Sequence, residues 1–225
     1  WSDPAIFTDK GSGKADFDPS RITTGGTYTI EYQAEGSKGC AVDTSMDVVI
    51  HVVRDVTFSG LPAAGTLCQN ADPITLTGNP ADSYGSFSGA GITNNGDGTA
   101  VLDPSGVSAG TYNIIYTYTD STTLCTSADT QTVEILASPN RYTLSGGGSY
   151  CEGTDGNVLS LSGGENGVSY RLIKNQTTPV DTVVSTSGGF DFAGFYKEGE
   201  YSVYATAPNG CADSMQNTQT IVRKD

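Results

Sequence analysis

The sequence predicts an all-β protein, a tandem array of small two-layer sandwiches joined by short linkers. Three observations carry this. One strand is written three times, as Gly26-Thr-Tyr-Thr-Ile-Glu-Tyr32, Gly110-Thr-Tyr-Asn-Ile-Ile-Tyr116 and, more loosely, Gly199-Glu-Tyr-Ser-Val-Tyr204. Within each copy the residues alternate, with Tyr28, Ile30 and Tyr32, then Tyr112, Ile114 and Tyr116, then Tyr201, Val203 and Ala205 on one face, the period of a strand buried on one side. No window carries helical spacing, while 29 glycines and only 16% charged residues leave short strands and turns. A cysteine follows each copy at a similar distance, at Cys40, Cys125 and Cys211.

Taken in order, residues 1–54 read as the C-terminal part of a truncated module. Asp18-Pro19-Ser20 and Gly26-Thr27-Tyr28 stay in step with Asp103-Pro104-Ser105 and Gly110-Thr111-Tyr112 of the next. Residues 55–137 form a complete module with strands at 55–58, 74–77, 83–88, 100–102, around Tyr112 and at 131–135. Turns such as Asn94-Asn95-Gly96-Asp97-Gly98 separate them, where positive φ is cheap. Residues 138–225 repeat the plan with strands at 142–144, 158–161, 168–173, 181–185, 190–192, 201–207 and 218–222. Six or seven short strands in a unit of this size predict a two-sheet sandwich of immunoglobulin type. The linkers, Val53-Arg54-Asp55 and Ala137-Ser138-Pro139, hold no flexible Gly/Ser run, so adjacent modules bend little.

Cys68 and Cys125 lie in one complete module and Cys151 and Cys211 in the next, at nearly equal separations. This makes one disulfide within each module the expected reading over buried free thiols, with Cys40 unpaired by truncation. Such a bridge adds roughly 4 kcal/mol on the chain-entropy estimate and implies export to an oxidising compartment. The Gly-x-Tyr tyrosines Tyr28, Tyr112 and Tyr201 fit a tyrosine corner, ring inward and hydroxyl tied to nearby backbone, better than sugar-stacking rings. Tyr196 and the outward Tyr204 are the weaker contact residues. The single histidine, His51, reads as a solvent-facing strand residue, which leaves nucleophilic catalysis without a base. No Cys-x-x-Cys occurs, Asn94 to Asp97 reads as a turn rather than a calcium loop, and Asp3, Asp9, Asp16 and Asp18 are a denser acidic set but belong to the truncated module; no metal or cofactor is expected. A net charge of −14 opposes nucleic acid and anionic lipid, and no apolar run is long enough to span a membrane.

The chain resembles the immunoglobulin-like and PKD-like repeats of long Bacteroidetes surface adhesins exported by the type IX secretion system. The resemblance rests on Asp103-Pro104-Ser105, Ala109-Gly110-Thr111-Tyr112, Cys125 and Thr130-Gln131-Thr132-Val133 in one module. In the next it rests on Tyr150-Cys151-Glu152-Gly153, Gly167 to Leu172, Gly199-Glu200-Tyr201-Ser202-Val203 and Gly210-Cys211 with Met215. Unlike antibody domains, the position two after the corner tyrosine is Ile30, Ile114 or Val203, not cysteine. The resemblance implies a non-enzymatic stalk segment of a cell-surface adhesin, in gliding or attachment, whose partners are neighbouring modules and surface polysaccharide. The alternative is a carbohydrate-binding or spacer module of a secreted polysaccharide-degrading enzyme, which needs a row of exposed aromatics where Trp1 is the single tryptophan. The same group O-glycosylates exported proteins at Asp-[Ser/Thr]-small or aliphatic tripeptides, which marks Ser121, Thr182 and Ser214 as candidates.

Overall fold

The structure, a computed structural model, describes residues 6–36 and 38–225; Trp1 and Asp3 lie outside them. The first part of the chain makes two hairpins, β1 (Phe7–Gly11) with β2 (Lys14–Phe17) and β3 (Gly26–Glu35) with β4 (Ala41–Ile50). A 3-10 turn at Pro19–Arg21 lies between the hairpins, capped by Asp18, whose side chain accepts from the Ser20 amide.

Residues 56–136 build a sandwich from β5 (Thr57–Ser59), β6 (Thr66–Cys68), β7 (Ile74–Asn79), β8 (Gly85–Ser88), β9 (Ile92–Asn94), β10 (Thr99–Leu102), β11 (Gly110–Thr119) and β12 (Thr126–Leu136). One sheet runs β5-β7-β10-β9 and the other β6-β12-β11-β8. All pairs are antiparallel except β6 with β12, which run parallel from Thr66 opposite Glu134 to Cys68 opposite Leu136. The inward faces bury Phe58, Leu76, Phe87, Leu102, Ile114, Tyr116, Val133 and Ile135. Each buried aliphatic or aromatic side chain contributes roughly 1.5–3 kcal/mol by leaving water. The Phe87 ring stands edge-on to Phe58 at 5.3 Å and tilted against Tyr116 at 4.7 Å, favoured arrangements for aromatic pairs. Two glycines leave room for the Tyr116 ring. A Cβ on Gly78 would lie 2.1 Å from its Cζ and one on Gly85 1.9 Å from its hydroxyl, which donates to the Pro80 carbonyl.

The next sandwich repeats this plan with β13 (Leu144–Ser145), β14 (Gly148–Cys151), β15 (Ser160–Leu161), β16 (Ser169–Lys174), β17 (Thr178–Val184), β18 (Phe190–Asp191), β19 (Gly199–Thr206), β20 (Ala212–Ser214) and β21 (Gln219–Lys224). Its sheets are β13-β15-β18 and β14-β21-β19-β16-β17, with β20 also on β19. Again one pair is parallel: β14 with β21, Cys151 opposite Lys224. The last strand is split here, and Met215 between its halves enters the core with Leu144, Leu161, Tyr170, Phe192, Tyr201 and Ile221.

The repeat is visible in the ladder itself. Gly26 faces Ile50, Gly110 faces Ile135 and Gly199 faces Ile221, each opening the strand that carries the Gly-x-Tyr tyrosine. The three tyrosine hydroxyls donate to the carbonyl four residues upstream: Tyr28 to Thr24 at 2.8 Å, Tyr112 to Ser108 at 2.9 Å and Tyr201 to Lys197 at 2.7 Å. Asp103 caps its Pro104–Gly106 turn as Asp18 caps Pro19–Arg21, and hydrogen bonds from the serine two residues on hold both carboxyls below the usual carboxylate range. The fold is an array of immunoglobulin-like sandwiches. The short strands β6 and β14 carry no alternation over three or four residues, and the sequence reading passes over them.

Replacing Gly85 by Ala is expected to cost roughly 1–3 kcal/mol, because the buried Tyr116 ring has nowhere to move. Gly106→Ala, with nothing within 4 Å of the added carbon, should stay within about 0.5 kcal/mol of the parent. Urea unfolding of the two variants makes the comparison. Tyr201→Phe should cost about 1 kcal/mol in the same assay by removing the bond to Lys197.

Candidate functional site

The cysteines do not pair within sandwiches. Cys68 is bonded to Cys211, with Cα atoms 5.7 Å apart and a sequence separation of 143, while Cys40, Cys125 and Cys151 are free. This corrects the expected pairs Cys68–Cys125 and Cys151–Cys211, and the parallel strands give the reason. β6 sets Cys68 beside Leu136, the last residue of β12, whereas Cys125 precedes Thr126, the first. Those ends of an 11-residue strand lie roughly 35 Å apart at about 3.3 Å per residue, and a disulfide needs Cα atoms within about 7 Å. In the third sandwich Cys151 faces Lys224, near the Gly199 end of β19, and Cys211 precedes Ala212 at its Thr206 end, roughly 25 Å away. Each sandwich therefore carries its early cysteine at the pole where the chain leaves and its late cysteine at the pole where the chain arrives. Nearly equal spacing in sequence reported this repeated placement, not a bond.

Side chains from both sandwiches close around the joint. The Asn70 amide nitrogen of the middle sandwich donates to the Ala212 carbonyl at 2.8 Å, and Asn209 of the next donates to Ala137 in the linker at 2.9 Å. Ser138 donates its hydroxyl to Asn70 Oδ1 at 2.6 Å and accepts from the Asn70 backbone amide at 3.2 Å. One turn further on, Arg141 grips Asp213 with Nε and Nη2, both at 2.9 Å, which lifts the guanidinium pKa above its ordinary value. Pro139 is buried, fixing the linker's φ where the chain crosses. Asn70 and Asn209 were missed by sequence reasoning. The signal available was their position within two residues of a cysteine in a turn.

The other sequence-marked residues sit apart from this joint or serve the fold. Ser121 and Thr182 are exposed, as is Ser214 on β20 near the joint. The acid before each has structural partners: Asp120 accepts from the Thr123 and Thr122 amides, which lower its pKa, Asp181 accepts from the Ala193 amide, and Asp213 holds Arg141. Tyr196 packs on Tyr201 and donates to Asp181, and burial raises its pKa well above the ordinary value. Tyr204 is exposed on β19, and His51 is exposed just past β4. The Asn94 amide is spent on both backbone groups of Phe87, and Asp97 on Thr99, so this stretch is a hydrogen-bonded turn. Among the described residues no group of three or more His, Cys, Asp or Glu is placed to hold a metal ion, and no helix is long and apolar enough to cross a membrane.

No protein-family profile matches the chain, and no curated protein matches it. Solved structures similar to it include murine CEACAM1b, 13% identical over 76% of this chain and 100% of that one, with a TM-score of 0.34. A SusE-like surface-located polysaccharide-binding protein from the Bacteroides thetaiotaomicron heparin utilisation locus is 13% identical over 87% of this chain and 43% of that one, TM-score 0.30. Sidekick-1 immunoglobulin domains 1–5 are 11% identical over 97% and 52%, TM-score 0.28. The chain spans about half the length of the latter two.

A non-reducing digest should return the Cys68 and Cys211 peptides as one linked species, and Cys125 and Cys151 as alkylated thiols. Pulled from its ends in a force spectrometer, the oxidised chain should extend about 490 Å less than the reduced chain. The residues between Cys68 and Cys211 lie outside the path of the load, at about 3.4 Å each. Equal contour lengths would remove the bond.

Proposed function

We propose that this chain is a load-bearing stalk segment of a long extracellular surface adhesin, of the gliding-adhesin type exported by Bacteroidetes. Its modules divide near residues 54/55 and 137/138. The observation that carries the reading is the Cys68–Cys211 bond, which ties one sandwich to the next across a short linker. A catalytic or ligand-binding pair of domains works by opening and closing; a covalent clasp across the joint forbids that and gives stiffness instead.

In this reading the first two hairpins are the later part of a further sandwich of the array. Val48 and Ile50 occupy the ladder places of Val133 and Ile135, which are buried to 1% and 2% exposure, yet they are only half-buried, and Met46 beside them is 63% exposed. Ile30, Tyr32 and Met46 line an open groove of about 550 Å³, apolar surface of the kind that a facing sheet covers in the other two sandwiches.

The exposed rings Tyr84, Phe195 and Tyr204 are divided between two sandwiches. Surface polysaccharide is a second partner in this reading, beside the neighbouring modules. Protease shaving of intact cells tests the function. Release of these peptides within a surface chain of several hundred kilodaltons is the expected result. Recovery in a soluble chain of ordinary size that digests polysaccharide would overturn it in favour of an enzyme-borne spacer or binding module.

A further inference from the structure

We propose that the Cys68–Cys211 bond is one rung of a repeating staple and that Cys151 and Cys125 are open halves of the neighbouring rungs. Cys151 takes the late cysteine of a following sandwich, and Cys125 takes the early cysteine of a preceding one. The argument is geometric equivalence to the two residues already bonded. Cys68 and Cys151 each stand opposite the last residue of the final strand, Leu136 and Lys224. Each is followed by the same hydrogen bonds, from Gln69 to Leu136 and Glu152 to Lys224, then from Ala71 to Cys68 and Thr154 to Cys151. Cys125 and Cys211 each close a turn after the Gly-x-Tyr strand, their carbonyls accepting from Asp120 and Ala207 at 2.9 and 2.8 Å. The same bond runs from Gly36 to Cys40 at 2.9 Å.

The surroundings of the unpaired residues match their place. Cys211 is 1% exposed under its neighbour, whereas Cys151 is exposed and Cys125 half-exposed. Beside Cys125, Ser127 donates to the Arg54 carbonyl at 2.5 Å, just as Asn209 beside Cys211 donates to Ala137. The arriving linker is thus held at the late-cysteine pole of both sandwiches.

Each rung forms by thiol–disulfide exchange. One protein thiolate attacks a small-molecule disulfide such as oxidised glutathione, releasing one reduced thiol; the second thiolate then attacks the mixed disulfide and releases the other. The two protein thiols lose two protons and two electrons, and the two released thiols carry them. Because each rung joins an early cysteine to the late cysteine one sandwich on, successive loops overlap, and every sandwich interior is bridged by at least one rung. The inference deepens the stalk reading in its mechanics but rests on the repeat alone, so it stands or falls separately from surface exposure.

The test extends the full chain. A second copy of residues 138–225 is appended directly after Asp225, which follows Lys224 as Ala137 follows Leu136. After refolding in a glutathione redox mixture, a non-reducing digest should show Cys151 linked to the appended copy's Cys211. The extension adds two cysteines and should leave the number of titratable thiols unchanged. In the Cys68→Ser background that link should persist while the original Cys211 stays a thiol. A bond between Cys151 and Cys211 of the same sandwich, a free Cys151, or disulfide-linked dimers through Cys151 would each overturn the proposal. A second chain, with residues 55–137 duplicated in tandem, tests the other half independently. It should link Cys68 of the first copy to Cys125 of the second, and free thiols at both would overturn it.

Discussion

Everything distinctive about this chain follows from the parallel pairing of a short early strand with the end of the last one. β6 against β12 and β14 against β21 are the two parallel pairs among the described strands. Antiparallel neighbours can be joined by a tight turn, but parallel neighbours must run in the same direction, so the early strand has to travel toward the pole where the chain exits. A residue at its end, Cys68 or Cys151, is thereby delivered to the junction with whatever comes next. The tyrosine corner does the converse at the other pole. By tying Tyr112 to Ser108 and Tyr201 to Lys197 it fixes where the long strand starts, so that ten or so residues later the chain turns at Cys125 or Cys211 beside the incoming linker.

Much of this was legible in the residues. The repeated Gly-x-Tyr strands, with Tyr116, Val203 and Ile114 inward, gave period, face and module size, because a long strand half-buried in a sandwich must alternate. The Asp-Pro-Ser caps were legible as a repeat, and the structure adds their local cause in a side chain two residues from its acceptor amide. The cysteine partners were not legible. Sequence spacing measures distance along the chain, and Cys68 to Cys125 spans a whole sandwich whichever strand Cys68 joins. Only the parallel register of Thr66–Cys68, three residues with no period of their own, decides that the two lie at opposite poles. The partner of Tyr196 was hidden for a related reason: Asp181, which accepts from its hydroxyl, lies fifteen residues earlier in the chain and outside any local pattern.

The covalent joint also answers a problem the composition raises. With a net charge of −14, successive modules repel, and at physiological ionic strength charges within about 8 Å across a joint are only partly screened. Contacts between neighbouring domains on one chain are ordinarily small and permit relative motion. Here the non-covalent part of the joint, as seen in Asn70, Asn209 and Ser138, is a handful of neutral hydrogen bonds worth about 1 kcal/mol each. Those bonds fix orientation without mastering the repulsion. Closing a loop of sequence separation 143 removes chain entropy worth about 5 kcal/mol from the unfolded state, more than these polar contacts together. Surface acidity, which opposes association with anionic surfaces, is thus compatible with a stiff joint because stiffness is carried by sulfur rather than by interface area.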